Sequence, residues 1–263
     1  MEALRRVREA WARADFAAAR AAVGRAAELG PWARTRTAEG ERLGAGEGLA
    51  VTGRLSVEPM GGAVFEGGRR LDPGWPPAAP VDWLVRAFPS RRRFEAVAPI
   101  WHGRRADAVA VFAELLPRLA ALDRLGAGPE VVALISREMG RLEPVQALLA
   151  AGAVAPRPVK VQGWDQVIEA GRVVLLRAEA ADAADAARAG GRLGAIFGAT
   201  PGGPVWLCLS DETAGAPAGS EALTVDATGL SRLVRRAAGA ESIAASPAAA
   251  AALPTLRGAQ RAT

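Results

Sequence analysis

Chemistry in this chain has to come from few side chains. His102 is the only histidine and Cys208 the only cysteine. A histidine-rich metal centre, a cysteine-rich zinc site and an intrachain disulfide are therefore excluded, while a carboxylate-only site for Mg²⁺ or Mn²⁺ is not. A Ser-His-Asp triad would have to use His102, and nothing near it in sequence supplies the rest. What remains is a group of carboxylates and arginines between Trp101 and Gly126. Asp107, Glu114 and Arg118 fall at helical offsets of 0, 7 and 11, with Ala110 between them, opposite an apolar face of Val109, Phe112, Leu116 and Leu119. Arg104 and Arg105 stand just ahead of Asp107, and Arg137 follows the next apolar run.

Each of these residues also has a purely structural reading. Glu114 and Arg118 have the i,i+4 spacing of a helix-surface ion pair. Asp107 stands near an expected helix start, where a carboxylate complements the macrodipole. His102 follows a strand end, where it can touch a ligand or hold a hydrogen bond of the fold. Cys208 lies inside an apolar strand and reads as core. Ser246 opens an Ala-rich segment, as a helix cap or as a phosphate contact. Pro117 in mid-helix predicts a kink or a break. No Walker loop, dinucleotide fingerprint, H-E-x-x-H or G-x-S-x-G occurs, and Gly61-Gly62 reads as a turn.

The elements that must position these residues alternate in type. Residues 2–29 read as a pair of short antiparallel helices, with Asp15 as the second N-cap and Gly30-Pro31 as the stop. Residues 48–72 switch to the alternation of strands, and 73–80 is a Pro-rich connection. Short apolar segments follow at 81–88 and 94–101. Then come a helix over about 105–125, a buried strand at 130–135, a helix at 139–151, and strands at 159–161 and 172–176. An Ala-rich helix at 178–190, strands at 204–209 and 222–225, a helix at 229–238 and a last strand at 242–244 complete the pattern. Such alternation implies an α/β fold with parallel sheets in two layers, whose ligands sit beyond the carboxyl ends of the strands.

Composition narrows the function less than it first promises. The chain has 263 residues, a net charge of +5, 33 Lys+Arg and no tyrosine, yet its only lysine is Lys160. This bias is that of a GC-rich genome, and the arginines are spread along the chain. Only Arg91-Arg92-Arg93 cluster, without the aromatic platforms that single-stranded nucleic acid needs, so nucleic acid is not the expected partner. No apolar run of about 18 residues predicts a transmembrane helix. The N-terminus has no signal-peptide core and the lone cysteine suits a reducing compartment, so the expected location is cytoplasmic.

The stretch Trp101–Gly126 resembles glycosyltransferase family 61, whose bacterial members build capsular and other surface polysaccharides. That family carries a W-H-G-type strand end, then N-x-x-H-x-x-x-E-x-L-P-R-L, then a Leu/Gly helix end. Glu114-Leu115-Leu116-Pro117-Arg118-Leu119 and Leu125-Gly126 match, while Asp107 stands at the family's Asn and Ala110 at its His. The likeness covers about 48–180 and is weaker over 204–258, where Ser246-Pro247-Ala248 replaces a G-P-H-G-A loop. The resemblance implies two Rossmann-like layers of the two-domain (B-type) transferases: a helical appendage over 1–46, an acceptor-side layer over 47–180, and a shortened donor-side layer over 181–263. It implies transfer of a sugar from a nucleotide donor to a glycan acceptor, without a metal or other cofactor. Asp107 and Glu114 would be the catalytic candidates, and His102, Arg104, Arg118, Arg137 and Ser246 the substrate or phosphate contacts. Peripheral membrane association is compatible with such an acceptor. The alternative is a catalytically inactive relative that binds or assists in polysaccharide assembly.

Overall fold

The alternating apolar residues after Gly48 form β3 (Gly48–Val57), which buries Leu49, Val51, Leu55 and Val57. The computed structural model describes residues 35–59, 61–67, 69–74, 90–101, 106–152, 157–163, 166–177 and 180–260. The two helices expected before Gly30 lie outside the described residues, as does the segment 81–88. Short strands β1 (Thr35–Thr37), β2 (Glu41–Leu43), β4 (Val64–Glu66) and β5 (Arg69–Asp72) surround β3. β1 and β2 therefore fall within the stretch read as a helical appendage, and they belong to the first sheet.

Longer strands follow: β6 (Ser90–Trp101), β7 (Val132–Ser136), β8 (Val159–Gln162) and β9 (Gln166–Leu176). The sheet order is β1-β5-β4-β3-β9-β6-β7-β8, with β2 on β3. β6 to β9 are mutually parallel, and β3 joins them antiparallel to β9. The sheet curls on itself. Gln162, at the end of β8, donates from Nε2 to the Val57 carbonyl at 3.1 Å and the Gln166 carbonyl at 2.9 Å. Leu134 of β7 meets Val57 and Ile168 in a small core inside the curl.

A second sheet is wholly parallel: β10 (Val205–Cys208), β11 (Glu221–Thr224) and β12 (Ile243–Ala245), in the order β11-β10-β12. Helices fill the space between the sheets. After β6 come α1 (Ala108–Ala110), a π turn (Val111–Leu115) and α2 (Leu116–Arg124). After β7 come α3 (Arg137–Gly140) and α4 (Glu143–Ala150). The helix expected over 139–151 is thus two pieces. Leu142 is extended between them, and Pro144 sits in the first turn of α4, where its missing N–H is not needed.

α5 (Ala183–Phe197) starts later and ends later than the Ala-rich pattern suggested. Asp182 caps it by accepting from the Asp185 N–H at 2.7 Å, and Asp185 accepts from the Asp182 N–H at 3.2 Å. α6 (Leu230–Ala238) and α7 (Leu253–Gln260) complete the set. α5 lies against both α2 and α7. One apolar core runs through all of them, from Leu122 and Ile135 to Leu207, Leu233 and Leu256. The chain is therefore α/β, with two sheets sharing a helical layer. Among the described residues no helix is long and apolar enough to cross a membrane.

Many arginines are spent inside this fold. Arg157 donates from Nε to Asp123 at 3.0 Å and from a terminal nitrogen to the Gly128 carbonyl at 2.9 Å. Arg236 donates to Glu221 at 2.7 Å, and Arg257 donates to the Ile243 carbonyl at 2.9 Å. The basic composition serves internal pairing at these positions.

Candidate functional site

Asp107 begins the helix that carries the sequence motif. It is extended, and its carboxylate accepts from the Ala110 N–H at 2.8 Å, as an N-cap does. The expected break at Pro117 takes the form of the π turn. The Leu116 N–H reaches back to the Val111 carbonyl, five residues away instead of four. Glu114 lies inside this turn, half-buried. Ala110, where the resembled family has histidine, is buried in the shared core. Arg118 is also buried, and donates to the Ile100 carbonyl at 3.2 Å, tying α2 back to β6. Arg137 opens α3 at the carboxyl end of β7 and is half-buried, with Ser136 capping the helix before it. His102 and Arg104, with Arg105, lie outside the described residues.

The carboxyl edge of the second sheet is polar. Ser246 follows β12 and is buried. Its Oγ accepts from the Ala249 N–H at 3.3 Å and donates to Glu212. Glu212 also accepts from the Leu209 N–H at 3.0 Å. The hydrogen bond from Ser246 is the main reason its carboxyl is held below the usual range, helped by the Leu209 amide. Asp226, just past β11, accepts from the Ser210 N–H at 2.9 Å and from the Ser210 hydroxyl at 2.7 Å. Thr224 and Thr228 hydroxyls lie 3.0 Å apart beside it. Cys208 is buried, and its thiol is pushed up first by burial and then by the charges of Glu212, Asp226 and Asp211. A thiol in that state is a poor nucleophile, in keeping with the core role read for it.

These two edges meet. α1 packs on the 3-10 turn Ala250–Ala252, and the π turn packs on that same turn and on α7. The helix that carries Asp107 and Glu114 therefore abuts the segment that follows Ser246. Arg137 stands on the first of these edges, at the end of β7. Arg118 is buried at the same edge, on the Ile100 carbonyl near the end of β6. Two surface cavities lie elsewhere. One, of about 440 Å³, runs between Arg54 and Arg93 across β3, β9 and β6. The other, of about 590 Å³, lies between Thr37, Arg42 and Arg177. Among the described residues no group of three or more His, Cys, Asp or Glu is arranged to hold a metal ion.

Sequence reasoning missed Ser210, Glu212 and Asp226. Their signal was present, since Leu209-Ser210-Asp211-Glu212 and Val225-Asp226 put polar residues directly after apolar strands. It needed the order β11-β10-β12 to bring them to one edge. A comparison with family models finds none that matches the chain, and no curated protein matches its sequence.

Proposed function

We propose that this protein is a sugar transferase-like protein that takes a sugar from a nucleotide donor to a glycan acceptor. The observation that carries the reading is the meeting of two carboxyl edges, one from β6–β7 and one from β10–β12. Parallel strands place their ligands beyond such edges, and two facing edges can hold a donor and an acceptor together. In this reading the two sheets are the two Rossmann-like layers, with acceptor on the side of the first and donor on the side of the second. Asp107 or Glu114 takes the proton of the acceptor hydroxyl, and Arg137 with His102, Arg104 and Ser246 holds phosphate oxygens of the departing diphosphate. The resemblance to glycosyltransferase family 61 supports the same assignment through Glu114-Leu115-Leu116-Pro117-Arg118-Leu119. Such a protein would work in the cytoplasm.

A second reading is favoured by specific residues. Ala110 leaves the family's histidine position without a side chain that can act as acid or base, and the Asp107 carboxylate is engaged as a helix cap. An inactive relative that binds a glycan or a nucleotide sugar in polysaccharide assembly fits both facts.

A titration with UDP-, GDP- and CMP-sugars separates binding from its absence. A donor present at about 100 Kd stabilises by roughly 2.7 kcal/mol, a rise of a few degrees in melting temperature. If no member of the panel moves the melting temperature, the donor-binding reading fails. Given binding, Asp107→Asn keeps the cap acceptor and removes the base. Turnover that falls at least 100-fold in this variant, at unchanged melting temperature, assigns Asp107 the base. Undiminished turnover leaves it a cap, and Glu114→Gln then tests the other carboxylate.

A further inference from the structure

The π turn at Val111–Leu115 deprives one carbonyl of its backbone partner. In an α-helix the Phe112 carbonyl would take the Leu116 N–H, but that group is bonded to Val111. At π spacing the donor for Phe112 would be residue 117, and Pro117 has no N–H. Phe112 is fully buried, so water cannot substitute. The missing donor comes from 143 residues further on, where the Thr255 hydroxyl, in the first turn of α7, donates to the Phe112 carbonyl at 2.6 Å. A helical threonine often bonds back to its own preceding turn. This one is aimed at another helix. Its backbone is fixed from the other side, because Gly190 of α5 sits so close that a Cβ there would lie 1.8 Å from the Thr255 carbonyl oxygen.

We propose that Thr255 is a positioning residue that locks the helix bearing Asp107 and Glu114 in its π register. The lock sets the angular offset between Asp107, ahead of the turn, and Arg118, behind it. Without the hydroxyl, the Phe112 carbonyl is left without a donor at π spacing, and the register that sets this offset loses its stabilisation. α7 follows β12 and the Ser246 segment in the chain, so the second sheet holds the first sheet's edge in place through this contact. The lock stands on the geometry of Phe112, Pro117 and Thr255 alone. Its bearing on a bound sugar nucleotide rests on the function proposed above.

A double-mutant cycle tests it without any ligand, so its outcome is separate from whether a donor binds. Thr255→Val removes the donor at nearly constant shape, and the folding equilibrium constant is expected to fall about tenfold or more. Thr255→Ser keeps the hydroxyl and should restore most of that loss. Pro117→Ala returns an N–H to position 117, so Thr255→Val should cost less than about threefold in that background. The Phe112 carbonyl ¹³C shift should change in Thr255→Val and return in Thr255→Ser, a signature that a general loss of packing does not produce. Should Thr255→Val alone fail to fold, the Pro117→Ala/Thr255→Val protein is expected to fold. An equal cost of Thr255→Val in both backgrounds, an unchanged Phe112 carbonyl shift, or failure of the double variant to fold as well overturns the proposal.

Discussion

Gly190→Ala is expected to lower stability by about 3 kcal/mol, although alanine is the better helix former by about 1 kcal/mol. Gly190 lies in the middle of α5, where α7 crosses against it. A Cβ there would lie 1.8 Å from the Thr255 carbonyl oxygen and 2.9 Å from the Ala259 nitrogen and the Gly258 Cα. All three are backbone atoms, so no side chain can rotate away to make room. The two helices would have to separate by roughly an ångström or more, along a seam where Gly194 and Gly258 also lie close to backbone atoms of the facing helix. Separation withdraws Leu256 and Ala259 from the shared core and lengthens the Thr255–Phe112 hydrogen bond. Gly203→Ala is the control, since nothing lies within 4 Å of a Cβ at that position. Urea unfolding should place Gly203→Ala within about 0.5 kcal/mol of the parent. A Gly190→Ala protein as stable as the parent would mean that α5 and α7 are not packed this closely.

Arg124→Met is expected to cost about 2 to 3 kcal/mol near neutral pH. Asp185, in the first turn of α5, has no exposed side-chain surface, and Arg124 bonds to both its carboxylate oxygens, at 3.1 Å and 3.3 Å. The same guanidinium donates to the Ala180 carbonyl at 2.8 Å and to Glu47 at 2.8 Å and 3.0 Å. It thus joins the β2–β3 turn, α2 and α5. Methionine fills the stem's volume but leaves a buried carboxylate paired to Arg188 without the Arg124 guanidinium. That surviving pair, and the partial exposure of Arg124, keep the loss below the full cost of stranding a buried charge. The acid limb should change as well. The hydrogen bond from Arg124 is the main cause holding the Glu47 carboxyl below its ordinary value of 4.5. The Asp185 amide does the same for Asp182. Carboxyls depressed by folding stabilise above their unfolded pKa and lose that contribution as pH falls through the folded one. The parent should lose stability progressively below about pH 4.5, and Arg124→Met should lose less of it over that window. An acid limb of the same steepness in both proteins would remove Glu47 from this account.

Much of the helical layer could be read from residue spacing, because it depends on near neighbours. Pro117 announced a break, and Val109, Phe112, Leu116 and Leu119 announced the apolar face. The form of the break was not legible, since a π turn needs a donor for the Phe112 carbonyl, and that donor is Thr255. The end of α5 was misplaced for a similar reason. Gly190-Gly191 looks like a stop by propensity, yet Gly190 is the contact that admits α7, and packing overrides propensity there. Arg118 looked like a surface partner of Glu114 at i,i+4. It is buried and also donates to the Ile100 carbonyl of β6, a contact that i,i+4 spacing does not announce. Asp107 was open between cap and base, and the structure supplies the cap, a role that leaves the chemistry to experiment. At the second sheet the strands were readable, but the pairing of Ser210 with Asp226 and of Glu212 with Ser246 joins separate loops. Only the strand order brings them together.

The central claim is that the two carboxyl edges form one ligand site, and hydrogen exchange in the presence of a sugar nucleotide tests it most directly. With the donor that most raises the melting temperature, at about 100 Kd, peptides covering 106–112, 209–212, 226–229 and 246–252 should exchange at least severalfold more slowly. Peptides around Arg54 and Arg93 should be unchanged. Protection confined to the cavity between Arg54 and Arg93, or to the one beside Thr37 and Arg177, with the two edges exchanging as freely as before, would contradict the account.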